Sequence, residues 1–254
     1  MFPQPATVLI LTPVKTAAHF LDTYFAGLEA LSYPHHLLSL AILEGDSRDD
    51  THDEMLRRLG KACENFRRKI LVKRDFGFQI PDQIPRYSEV FQAQRRAILA
   101  RARNHLLFRA LQDEQWVLWL DVDIVEYPKD VLEQLLAVNR DIVHPHCVTA
   151  FGGDSFDLNA WSDGGNKRMS DMRGAGLVRL ESVGGTMLLV RADRHRDGLV
   201  FPPFFYGNKS RWIRDPHPLA TTALGEIETE GFAIMAKDMG IECWGLPDLE
   251  IRHR

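Results

Sequence analysis

The ten residues from Trp116 to Val125, Trp-Val-Leu-Trp-Leu-Asp-Val-Asp-Ile-Val, constrain the fold of this chain more than any other stretch. A run this apolar, rich in β-branched and aromatic side chains, reads as a strand buried on both faces. A parallel sheet covered by helices buries strands in that way. Two carboxylates interrupt the run, Asp121 and Asp123. Residues i and i+2 of a strand share a face. The pattern therefore predicts two acids side by side at the end of a central strand.

The rest of the chain repeats the same alternation. Strands are predicted over 7–14, 37–43, 69–73 and 141–148. Helical spacing of apolar residues predicts helices over 17–32, 51–66, 88–111 and 128–139. Strands alternating with helices imply an α/β fold with a mostly parallel, doubly wound sheet. After residue 150 the pattern weakens. Residues 152–176 are dense in Gly, Asp, Ser and Arg and read as a mobile loop, a lid ordered by ligand. Residues 177–190 read as an antiparallel pair interrupted by Gly184-Gly185, which adds a small antiparallel section in the C-terminal half. Residues 202–225 read as irregular and Pro-rich. A helix over 226–239 and a strand over 241–246 complete the expectation.

A length of 254 residues suits one α/β domain, here divided into a nucleotide-binding half, about 1–125, and an acceptor-side half, about 126–254. The net charge of −4 gives no basic excess for nucleic acid. Cys63, Cys147 and Cys243 form no CxxC, which argues against a disulfide framework or a zinc knuckle. No signal peptide or membrane span is read, so the chain reads as cytoplasmic.

Paired carboxylates at the carboxyl end of a parallel strand lie where open α/β sheets take up ligands. Like charges held that close call for a cation, and hard oxygens suit Mg²⁺ or Mn²⁺ bridging to a diphosphate. The plain alternative is a solvated acidic turn, which the apolar flanks disfavour. Glu44 and Asp46 end the second predicted strand, where a carboxylate can accept from a ribose or base edge. Asp49 and Asp50 fit a helix cap better. Arg103 and Asn104 sit mid-helix beside Leu99, Leu106 and Leu107, an unusual place for a merely solvated Arg. His144 and His146 lack a third ligand nearby and read as structural. Glu226, Glu228 and Glu230 open the late helix, where the dipole alone would favour acids. His253, on spacing alone, suggests no role.

Together these blocks resemble the fungal mannan-polymerase family of Golgi α-mannosyltransferases. The resemblance rests on LTPVKTAAHFLDTYF, LSYPHHLLSLAILEGDSRDDT, KRDFGF, AQRRAILARARNHLL, WVLWLDVDIVEYP, SVGGTMLLVRADRHRDGLVFP, ETEGFAIMAKDMG and WGLP, in that order. It implies a GT-A fold, GDP-mannose as donor, Mn²⁺ (or Mg²⁺) as cofactor, a glycan acceptor and retention of the α configuration. On that resemblance Asp121 and Asp123 are the metal and diphosphate motif, and His253 supplies a further metal ligand. Asp46 stands on the nucleotide side, and Arg103 and Asn104 lie near the donor. Gly184 and Gly185 line the acceptor side.

No carboxylate reads as a nucleophile on the far face of the sugar. The implied reaction is therefore a front-face displacement in which the leaving phosphate helps deprotonate the acceptor, with Glu228 or Glu230 positioning the hydroxyl. The segment 150–183 is shorter than its counterpart in the family and is expected to help recognise the acceptor. Two other readings compete: a non-catalytic nucleotide-sugar-binding scaffold serving a partner transferase in a homo- or hetero-oligomer, and a nucleotidyl- or phosphoryl-transferring enzyme. The absence of a Walker-type Gly-rich Lys loop disfavours the latter. The family parallel also admits a luminal domain of a Golgi enzyme whose anchor is missing.

Overall fold

A computed structural model describes residues 5–81, 83–85, 88–207 and 225–254. In chain order the elements are β1 Val8–Val14, α1 Leu21–Glu29, β2 Leu38–Glu44, α2 Thr51–Leu59, β3 Arg68–Lys73, α3 Glu89–Ala110, β4 Trp116–Leu120, β5 Ile124–Glu126, α4 Val131–Ala137 and β6 Ile142–Val148. There follow β7 Trp161–Ser162, β8 Lys167–Arg168, β9 Val178–Leu180, β10 Met187–Arg191, α5 Ala192–Arg196, β11 Tyr206–Gly207, β12 Gly225–Glu226, α6 Glu228–Asp238 and β13 Cys243–His253.

The main sheet has nine strands in the order β3-β2-β1-β4-β10-β6-β13-β5, with β9 added against β13. Six strands (β1, β2, β3, β4, β6 and β13) run one way, and β5, β9 and β10 run against them. Alternation along β1 shows how the sheet is buried on both faces. Val8 and Ile10 join one apolar cluster with α1 residues Leu21, Phe25 and Leu28. Leu9 and Leu11 join the other, with Ala100, Leu106 and Leu107 of α3 and Phe232, Ala233 and Ala236 of α6. This is the α/β fold with a mainly parallel sheet that the strand–helix alternation implies.

Several elements differ from expectation. The run 116–125 is not one strand: β4 stops at Leu120, residues 121–123 form a turn, and β5 resumes at Ile124 on the far side of the sheet. The two acids are therefore turn residues, not i and i+2 of a strand. The break has a local cause, since desolvating two carboxylates in mid-sheet costs more than a turn at the sheet edge. α2 ends at Leu59, well short of 66. β9 and β10 do not pair with each other: β9 joins β13, and β10 lies between β4 and β6. β13 runs on to His253, with a register shift between Leu246 and Glu250 at Pro247.

Residues 152–176 carry the β7–β8 hairpin and bury Asp157, Ala160 and Met169. Arg173 ties the segment to Glu250, and the Gly174 N–H donates to Asp248. The expected loop is thus anchored to β13. Most of the Pro-rich stretch expected over 202–225 lies outside the described residues.

Candidate active site

The parallel strands deliver Val14, Glu44, Lys73, Leu120, Val148 and His253 to one edge of the sheet. The strand order reverses between β1 and β4, and clefts open at such switch points. The turn Asp121-Val122-Asp123 lies on this edge. The Asp121 N–H donates to the Thr186 carbonyl at 2.9 Å, and the Ile124 N–H closes back on the Asp121 carbonyl at 3.3 Å. Ile124 then pairs with His253 across β5 and β13.

Arg103 organises the acids from beneath. It sits on the buried stripe of α3 and is only 3% exposed. Its Nε donates to Glu228 Oε1 at 3.1 Å, and its Nη2 donates to Asp121 Oδ1 at 3.1 Å and the Gly185 carbonyl at 3.2 Å. Trp119 and Phe201 flank the guanidinium, 5.5 and 5.4 Å from its carbon. Burial works against its charge, but Asp121 and Glu228 outweigh it and hold the proton more firmly than usual. Arg103 therefore holds the turn in place through Asp121 and the Gly185 carbonyl.

Asp121 is pushed up to about 7. Burial is the main cause, Arg103 opposes it, and the nearby carboxylates of Asp123, Glu228 and Asp157 add to it. Asp123 turns the other way, its Oδ2 3.1 Å from His253 Nε2. Burial would lower the His253 imidazole, but the hydrogen bond and charge of Asp123 hold it above its usual range. Among the described residues no three His, Cys, Asp or Glu side chains converge into a ready-made metal cage. The donor set still suits a hard divalent ion, with two carboxylates, one imidazole and an acidic excess that Arg103 alone does not offset.

The two late acids are both engaged. Glu228 is buried, and its φ of 59° is a left-handed conformation that a helix-dipole preference does not explain. Glu230 accepts from Arg96 Nη2 at 2.7 Å. Neither presents a free carboxylate.

Gly184 and Gly185 leave room for two charged side chains. A Cβ on Gly184 would run into the Asp157 carboxylate, and one on Gly185 into the Arg103 guanidinium. They are bare because two buried charged groups press against the same backbone.

Asp46 and Asn104 are likewise engaged in holding the scaffold. Asp46, at φ 58°, accepts from the Phe76 N–H at 3.1 Å and the Gly77 N–H at 2.9 Å, so both its carboxylate oxygens pin the loop after β3. Glu44 is fully buried and pairs with Lys73 at 2.7 Å. Asn104 spends its amide on Phe201, donating to the carbonyl at 2.7 Å and accepting from the N–H at 2.9 Å.

Three neighbours escaped the sequence reading. Lys15 follows β1 and donates to the Phe78 carbonyl at 2.6 Å. Burial lowers its ammonium, Asp46 opposing and Arg48 and Arg95 adding to the effect. Asp157 accepts from Thr186 Oγ1 at 3.0 Å and the Asn159 N–H at 3.1 Å. Burial would raise it, but those hydrogen bonds and His144, 3.7 Å away, keep it below the usual carboxylate range. Phe156 stacks on His253 with ring centroids 3.7 Å apart and planes at 17°. Lys15 directly follows a strand end, and that was its one readable signal. Asp157 and Phe156 lie in the stretch read as mobile and carry none.

Residues 3–173 match the family model described as Anp1. The chain is similar to the mannan polymerase II complex anp1 subunit of Schizosaccharomyces pombe, 28% identical over 97% of this chain and 63% of that protein. It is 30% identical to the mannan polymerase complex subunit MNN9 of Candida albicans, over 97% of this chain and 74% of that protein. The chain thus spans just under two thirds of the first of these relatives. Among solved structures it resembles the mannosyltransferase PcManGT of Pyrobaculum calidifontis, in complex with GDP-Man and Mn²⁺. The TM-score is 0.59 at 14% identity, over 99% of this chain and 57% of that one. It also resembles Staphylococcus aureus TarS 1–349 in complex with UDP, with a TM-score of 0.55 at 13% identity, over 96% and 59%. No described helix is long and apolar enough to cross a membrane. With the family match over residues 3–173 and the glycosyltransferase neighbours in agreement, the chain belongs to the Anp1 family and has a GT-A fold.

Proposed function

We propose that this chain transfers mannose from GDP-mannose to a glycan hydroxyl with retention of the α configuration. The observation that carries the reading is the Asp121-Val122-Asp123 turn at the switch-point edge, with Arg103 below it and His253 beside it. The Pyrobaculum neighbour, described with GDP-Man and Mn²⁺, supports the choice of donor and ion. Asp121, Asp123 and His253 would hold Mn²⁺ (or Mg²⁺), and the ion supplies charge neutralisation at the leaving diphosphate when bound. Residues to about 125 then form the nucleotide side of one unit, and the rest forms the acceptor side.

Each remaining residue has a defined part in this reading. Arg103 fixes the orientation of Asp121. Glu228 keeps Arg103 charged and in place, so it acts on the acids through the guanidinium and does not take the acceptor proton. Proton removal falls to the departing phosphate in a front-face displacement. Lys15, on the β1 side of the switch point, stands where a phosphate would meet a cation.

The relatives are named as subunits of mannan polymerase complexes, which favours a hetero-oligomer and gives weight to a second reading. In that reading the chain binds the nucleotide sugar and a partner turns it over. A panel of nucleotide sugars distinguishes the two. GDP-mannose with Mn²⁺ should raise the melting temperature more than UDP-sugars do, and GDP should be released. Stabilisation without release, with a wide set of acceptors, would favour the scaffold. Equal or better response to UDP-sugars would overturn the choice of donor.

A further inference from the structure

We propose that Phe156 is an acceptor-contact residue whose outward ring face stacks on a hexopyranose ring of the glycan. The inference rests on the transferase reading above and names the substrate chemistry of its acceptor side.

Phe156 is 40% exposed, yet its neighbours in sequence are firmly held. The Ser155 hydroxyl bonds to His146 Nε2 at 2.9 Å, and Ser155 also bridges to Val148 of β6. The Phe156 N–H donates to the Cys147 carbonyl at 2.8 Å. The Asp157 carboxylate is buried and accepts from Thr186. Three consecutive residues are thus tied to the end of β6 and the start of β10, while the one apolar side chain among them points outward. Single exposed apolar side chains are ordinary, so what singles this ring out is its rigid anchoring and its stack on His253.

The position of the ring limits what can stack on its outward face. One face lies flat on the His253 imidazole, whose Nε2 meets Asp123. The ring is therefore one stacked layer from the proposed reacting centre, on the acceptor side. Phe151 and Leu158, close to it in sequence, are also exposed, at 51% and 57%. An aromatic plane beside a polar catalytic edge matches the chemistry of a pyranose. The axial and ring C–H groups of one sugar face pack on the ring, and the hydroxyls at the rim stay wet. A nucleotide base is the poorer fit, because the nucleotide-side residues Glu44 and Asp46 lie at the end of β2, across β1, β4 and β10 from β6.

The experiment uses the whole chain and a short α-linked mannooligosaccharide as probe. Saturation-transfer NMR reads binding, with and without GDP and Mn²⁺. Phe156→Ala and Phe156→Leu should each weaken oligosaccharide binding about five- to tenfold, the size expected of one stacked ring. Phe156→Trp should retain it. The Leu variant keeps apolar bulk and guards against loss of fold, and GDP–Mn²⁺ affinity should stay within about twofold in all three. Undiminished binding by the Leu variant would overturn the proposal, as would a wild type that binds none of the probe. A matching loss of GDP–Mn²⁺ affinity would also overturn it, by showing that the ring merely holds His253. A wild type that binds the oligosaccharide but never turns over GDP-mannose would leave this platform standing and overturn the transferase reading.

Discussion

Arg103 on α3 and Glu228 at the start of α6 are 125 residues apart in sequence, yet they form a buried ion pair at 3.1 Å. Arg103→Met should destabilise the fold by about 3–5 kcal/mol, because it leaves the buried Glu228 carboxylate and the half-buried Asp121 carboxylate without their shared cation. The double variant Arg103→Met/Glu228→Gln should recover part of that loss. Urea denaturation of the four proteins in the cycle measures it, and strictly additive losses would mean that the pair is not coupled.

Asp123→Asn is nearly isosteric and lies at a partly open edge, so it should leave the melting temperature of the free protein almost unchanged. It should abolish stabilisation by GDP with Mn²⁺, which for wild type is about 2.7 kcal/mol when GDP exceeds its Kd a hundredfold. Thermal melts with Mn²⁺ and with EDTA decide it. Equal stabilisation of both proteins would remove Asp123 from the proposed metal site.

The sheet was legible because burial on two faces leaves continuous apolar strands. β1, β2, β3 and β6 fall within a residue or so of expectation. Arg103 was legible for a related reason, as a charge placed among Leu99, Leu106 and Leu107 needs a buried partner. Its partner was not legible, since Glu228 sits where a helix dipole alone would favour an acid. Gly184-Gly185 announced close approach, but the approaching groups, Asp157 and Arg103, come from distant segments. The anchoring of 152–176 depends on Arg173 with Glu250 and Ser155 with His146, tertiary bonds that composition does not encode. The turn at 121–123 was hidden by the strength of the apolar residues around it.

Gly184→Ala should destabilise by about 2–4 kcal/mol, since its methyl group has to displace the buried Asp157 carboxylate. Gly152→Ala, a glycine with open space around it, should show only the smaller strain of its positive φ. Equilibrium denaturation compares them. A Gly184→Ala no less stable than Gly152→Ala would mean that Asp157 yields easily.

Burial holds His195 near a pKa of about 4, against an ordinary 6.5. Its Nδ1 donates to the Leu199 carbonyl at 2.7 Å, and its Nε2 accepts from Trp119 Nε1 at 3.3 Å, so a second proton would face a donor. Between those values the unfolded chain takes up a proton that the folded chain refuses. Stability should therefore fall as pH drops from about 6.5 to about 4, by about 3 kcal/mol, and the loss should level off below that. Denaturation of wild type and His195→Gln across this window isolates the contribution. An unchanged pH slope in the variant would refute it.

Among the described residues β5 joins the sheet only through β13, pairing Ile124 with His253. A ribosome that has already produced Asp121 and Asp123 has more than a hundred residues still to make before β5 has a neighbour. Until residues 243–253 emerge, β5 has no strand to pair with and His253 does not exist. Competence at this edge is therefore a late event in the life of each nascent chain. Long-range pairings of this kind form slowly, because the intervening chain must be ordered first.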